Sequence, residues 1–214
     1  MENVIIKTNK RRKRYSLEIN QMGNIIVKTP IKPSQRNIDK LLTQYHEWIK
    51  NQQVKVIEKR KILSDWVNDE YIYLKGKKYH RFSANCSAPI FEKNRVHVPE
   101  KMSNETFLNK MADNYLPERC TDISELMKVN ISKITIKKMK SCWGTCSRKN
   151  VITLNSALIK VPQWVSDYVM IHECAHIIHF DHSKKFWELV CNYCPEYKDA
   201  KNWLKNHQCV LVNR

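Results

Sequence analysis

The chain has 214 residues, enough for one domain with a real core or for two small lobes sharing one. Its hydrophobic content of 42% excludes a disordered chain, and no apolar run approaches the ~20 residues that would span a bilayer. Charge is lopsided: 38 Lys+Arg face 21 Asp+Glu, a net +17. Such an excess attracts polyanions, so nucleic acid, nucleotides and acidic proteins are candidate partners, and a membrane is not.

The N-terminus has only a short apolar stretch, Val4 to Ile6, too brief for a signal peptide. The expected location is therefore the cytoplasm. There the eight cysteines are expected as free thiols or metal ligands, not disulfides.

Residues 3–29 read as strands. Tyr15, Leu17 and Ile19 alternate with Ser16, Glu18 and Asn20, a period of two, and Gly23-Asn24 turns the chain into Ile25-Ile26-Val27. The basic run Lys10 to Arg14 precedes them; it suits phosphate binding or a charged edge strand. Ser34 is placed to cap a helix through Ile38, Leu41, Leu42, Tyr45, Trp48 and Ile49, continuing to about residue 61. Short strands are expected at 71–74, 79–82 and 95–98. Ser103-Asn104-Glu105 opens a second long helix to about residue 129, which Pro117 is expected to kink or break. Ile134 and Ile136 mark a one-sided strand, with 151–154 as its expected antiparallel partner across the loop 139–149.

Helices follow at 163–179, 183–192 and 196–206, with Pro162 suited to the first helix's start. The architecture this predicts is α+β, with a β-rich N-terminal part over 1–100 that includes one long helix. A helical catalytic part over 101–214 follows, the two forming one continuous unit.

The helix 163–179 is apolar almost all round, yet it carries His172, Glu173, His176 and His179. Burying so many titratable groups is costly unless something satisfies them, and a divalent metal does so. His172 and His176 are four residues apart, so their rings converge from adjacent turns. Glu173 points about 100° away, where it can take a proton from a water beside the metal. His-Glu-x-x-His is the zincin pattern, which makes Zn²⁺ the expected cofactor.

A catalytic zinc wants three protein ligands. His179 shares the helix face, but its Cα would lie ~10 Å along the axis from that of His172, too far on a straight helix. His182, six residues past His176 like the third ligand of metzincins, is the preferred third ligand, and Glu188 the weaker alternative. His179 is then expected to support the ligands from behind or to be a buried histidine bonded to a carbonyl. Cys142, Cys146, Cys191 and Cys194 could in principle make a four-cysteine zinc site; unpaired thiols are the expectation.

Ser141-Cys142-Trp143-Gly144-Thr145-Cys146-Ser147, then Leu154-Asn155, then Tyr168 to His176, then His182-Ser183-x-x-Phe186-Trp187 follow in order. Together they resemble the YgjP-type family of zincin-like metallohydrolases, relatives of the WLM and SprT-like peptidases. Thr145 stands where the family has serine, and Cys142 where a basic residue is expected. The resemblance implies a zincin-like fold, metal ligands at His172, His176 and His182, and Glu173 as catalytic base. It also implies a peptide or protein substrate, with nucleotide phosphoanhydride hydrolysis as the competing activity. A third reading is a basic nucleic-acid-associated protein whose metal is structural.

Overall fold

The computed structural model describes residues 3–66 and 70–212, and the chain divides into two compact units, Met1–Ser64 and Asp65–Arg214. The division falls well before the boundary expected near residue 100. No helix among the described residues is long and apolar enough to cross a membrane.

In the first unit, strands β1 (Val4–Thr8), β2 (Ser16–Ile19) and β3 (Ile25–Thr29) form a sheet in the order β1-β3-β2. The expected β2–β3 hairpin is present, with Ile19 opposite Ile25. Its turn is held by Asn20, whose Oδ1 accepts the N–H groups of Met22 and Asn24, and Gly23 takes a φ of +81°. Ser34 caps α1 (Gln35–Gln44) as its position predicts. The helix does not run on unbroken. Tyr45 leaves helical geometry, and α2 (His46–Trp66) starts anew. Ile25, Val27 and Ile49 form this unit's small core, with Leu17, Ile19, Leu41 and Leu42 packed on it.

The second unit holds the sheet β4 (Tyr71–Leu74), β5 (Lys77–Ala84), β6 (Ile90–Glu92) and β7 (Arg95–Pro99), ordered β4-β5-β7-β6. Its buried residues Ile72, Leu74, Val96 and Val98 share one core cluster with Phe107, Leu154, Met170 and Phe186. That shared core is why residues 70–99 belong with the C-terminal part. The β4–β5 turn also docks directly. Lys75 and Gly76 donate to the carbonyls of Ile159 and Lys160, and a Cβ on Gly76 would lie 2.7 Å from the Pro162 Cα.

Helix α3 (Asn104–Leu126), capped by Ser103, continues through Pro117. The expected break is absent because the stripe of Phe107, Leu108, Ala112, Leu116, Cys120 and Ile123 is buried on both sides of the proline. That packing outweighs one lost backbone hydrogen bond.

A second sheet joins β8 (Lys133–Lys137), β9 (Gly144–Cys146) and β10 (Val151–Asn155) in the order β8-β10-β9. Here the sequence expectation is corrected: β8 and β10 are parallel, and β10's antiparallel partner is β9. The loop between β8 and β10 supplies its own strand. The turn at 147–150, closed by Asn150 N–H to Ser147 and Ser147 N–H to Val151, makes a hairpin of β9 and β10. With that edge filled, β8 pairs on the other.

A short 3-10 helix (Ser156–Ile159) leads to α4 (Gln163–Ile178), the helix of the His-Glu-x-x-His pattern, and then to α5 (Lys184–Tyr193), α6 (Tyr197–Asn206) and α7 (Cys209–Val212). The unit is thus mixed α+β with a helical C-terminal part. Arg119 on α3 grips Asp167 in α4 through two hydrogen bonds of 2.9 Å, fixing the helix that carries the histidines.

Candidate metal centre

Helix α4 is buried along most of its length, from Val165 to Ala175. Its apolar faces pin it, so the side chains at 172 and 176 start from a rigid backbone. Their rings lie 4.8 Å apart, centroid to centroid, and perpendicular. At His179 the backbone becomes extended, and the helix ends. The turn brings His182 back: its ring lies 5.2 Å from that of His172 and 4.8 Å from that of His176. One donor nitrogen from each of the three falls within 4.8 Å of the others, and no other such group of His, Cys, Asp or Glu exists among the described residues.

The spacing suits one small ion. The Nε2 atoms of His172 and His182 are 3.3 Å apart. Two nitrogens at ~2.0–2.1 Å from a tetrahedral zinc would be about 3.3–3.4 Å apart. The protonation states suit it as well. His176 Nδ1 lies 3.1 Å from the His179 carbonyl oxygen. A carbonyl only accepts, so Nδ1 carries the proton and Nε2 keeps a lone pair for a cation. His179 therefore supports the group through its main chain. Burial, followed by the neighbouring His176, His182 and Lys201, pushes His172 down to about 3, so it stays neutral and able to ligate. Three imidazoles so placed fit a zinc ion.

Glu188, the weaker ligand candidate, is exposed, pairs with Lys184 at 3.6 Å and takes no part in the cluster. The cysteines form no metal cluster and no disulfide among the described residues, and Cys142 leans on the Met139 sulfur.

Glu173 is 6% exposed, and burial raises its carboxyl to about 8. It sits against β9. A Cβ built on Gly144 would lie 2.8 Å from Glu173 Oε1 and 2.9 Å from its Cγ. Only glycine leaves this carboxyl room, which explains the Trp143-Gly144 pair better than a tight turn does. Gly144→Ala should displace Glu173 by a fraction of an ångström to one ångström. Turnover is expected to fall about 10–100-fold while bound metal is unchanged, checked by kcat beside elemental analysis. Trp143 itself is a core residue, 7% exposed, with its indole N–H donating to Gln208.

Three aromatic residues support the histidines in a way the motif alone does not show. Phe186, fully buried, touches all three imidazoles, with centroids at 4.9, 4.6 and 4.9 Å from His172, His176 and His182. Trp187 stacks on His182 at 5.7 Å, with Tyr197 against it at 5.2 Å. Their sequence signal is the Ser183-x-x-Phe186-Trp187 segment that follows His182.

A family model described as YgjP-like, metallopeptidase domain, matches residues 13–207. The chain belongs to this family. Membership implies a metal ion, and the three histidines are where this chain can hold one. Among solved structures, the metallopeptidase zymogen abylysin of Pyrococcus abyssi is similar at 22% identity and a TM-score of 0.40, over 44% of this chain and 95% of that one. No curated protein matches.

Proposed function

We propose that the chain is a zinc peptidase in which His172, His176 and His182 hold the metal and Glu173 is the general base. The convergence of three imidazole nitrogens within 4.8 Å carries this reading. Bound there, zinc would supply Lewis acidity towards water and a carbonyl oxygen.

The remaining steps belong to the protein. Glu173 takes the proton of the attacking water and passes it to the leaving amine. Burial raises this carboxyl well above the ordinary carboxylate range, and the charge of a bound ion would lower it again towards neutrality, where it can both take and give a proton. The substrate strand has a place beside it. Strand β9 is the edge of its sheet, and the bonds Asn155 N–H to Trp143 and Ser147 N–H to Val151 turn residues 143 and 147 towards β10. By alternation, Gly144 and Cys146 present their backbone N–H and C=O groups to the open side. An extended peptide can pair with them there.

The test is incubation of the metal-loaded protein with a peptide library and, separately, with nucleoside triphosphates. Peptide cleavage that stops with 1,10-phenanthroline and returns with zinc is the expected result. Phosphoanhydride cleavage with no peptide cleavage would replace this reading by the pyrophosphatase one.

A further inference from the structure

We propose that the N-terminal unit carries a binding groove for a single-stranded polynucleotide, a function separate from the metal centre. Charge points there first. Residues 1–64 hold 15 Lys and Arg against 5 Asp and Glu, so +10 of the chain's +17 lies in under a third of its length.

The second observation is a groove of about 260 Å³ in the same unit, lined by Tyr15, Ser16, Leu17, Leu41, Tyr45 and Trp48. Its three aromatic residues are each about 40% exposed: 42% for Tyr15 and Tyr45, 39% for Trp48. The fold explains why they stand open. Leu17 faces the core from β2, and Leu41 packs on it from α1. Tyr15 lies just before β2 begins, and Tyr45 is the break between α1 and α2, so the aromatic rings continue the apolar face past the end of the core.

One cation reaches the groove directly. The Arg12 guanidinium donates to Ser16 Oγ at 2.8 Å, which fixes it on a groove residue, and Arg11, Lys13 and Arg14 flank it in exposed positions. Of the nearby carboxylates, Glu18 is engaged by Lys28, and Glu47 lies 3.5 Å from the His46 ring.

Aromatic faces beside a cationic run match the two chemistries of a single strand. Its bases are unpaired π-surfaces that stack on tyrosine and tryptophan, and its phosphates take the arginines. A duplex hides its bases in the stack, whereas a single strand offers them in series to the three rings.

The experiment is fluorescence anisotropy of short labelled oligo-dT and oligo-U titrated with the full chain across salt concentrations. Binding should weaken with salt at a log–log slope of about −0.7 per phosphate contact. Replacing Arg11, Arg12 and Arg14 together by glutamine should make that slope shallower by about 2. Trp48→Ala should cost about fivefold or more in affinity with the slope unchanged, and Trp48→Phe should recover most of it. Tyr15→Ala, outside every helix and strand, repeats the test without risk to the fold, and circular dichroism monitors each variant. Oligo-dT and oligo-U arms tell DNA from RNA as the source; tight binding of either supports the groove. No binding of either at low salt would overturn the proposal. So would affinity indifferent to both aromatic substitutions, or tighter binding of a duplex or of anionic vesicles.

Discussion

Glu173→Gln is expected to lower peptide hydrolysis by about 10²–10⁴-fold, the usual worth of a positioned general base, at unchanged metal content. Glutamine has the same shape, so its contact with Gly144 survives, and the three histidines are untouched. What disappears is the group that accepts a proton. Steady-state kinetics beside elemental analysis makes the comparison. Activity retained in the variant would remove Glu173 from the chemistry.

Stability gives an independent reading of the same residue. Burial raises the Glu173 carboxyl from 4.5 to about 8, so the folded chain binds this proton more tightly than the unfolded one. The stabilisation is complete below 4.5 and is lost as pH rises towards about 8. In metal-free protein, the melting temperature of Glu173→Gln should therefore gain on that of wild type across this window. A constant difference would mean the carboxyl is solvated.

His182→Ala is expected to weaken zinc binding by more than about a hundredfold. Partners of ligands alone are worth 10–100-fold, so loss of a ligand should exceed that. His172 and His176 alone would leave a two-coordinate protein site on α4. His182 comes from outside that helix, held by Phe186 and Trp187, and would complete the set. Two controls sharpen the claim. Glu188→Ala should leave affinity unchanged, since that residue is exposed and paired with Lys184. His179→Ala should cost little, because its contribution to His176 is a main-chain carbonyl. Competition with a chromogenic chelator measures all three; equal affinity of His182→Ala and wild type would send the third ligand elsewhere.

The candidate site was largely legible because its determinants are local. A spacing of four residues on an apolar helix places His172 beside His176, and the ~10 Å helical rise to His179 requires a turn before a third ligand. His182 is then chosen by its six-residue offset from His176, the spacing of the metzincin third ligand. The Gly144 approach to Glu173 and the Phe186 platform were not legible. Each joins segments whose proximity is set by the sheet and by α5, and no periodicity encodes it.

The fold shows the same division. Caps at Ser34 and Ser103 and the β2–β3 hairpin depend on a few neighbouring residues, and they stand where their residues put them. The parallel pairing of β8 with β10 depends on which strand fills the opposite edge of β10, a contest decided by the turn at 147–150. Pro117 is a local signal overruled by the buried stripe around it. The boundary at 64/65 likewise depends on which core receives Ile72, Leu74, Val96 and Val98.

The most direct test of the metal centre is an anomalous difference map collected at the zinc edge from crystals of the protein purified without added metal. The expected result is one peak, about 2.0–2.1 Å from a ring nitrogen of each of His172, His176 and His182, with Glu173 beside it. A zinc peak at other residues, or no peak there even after the crystals are soaked in zinc, would contradict it.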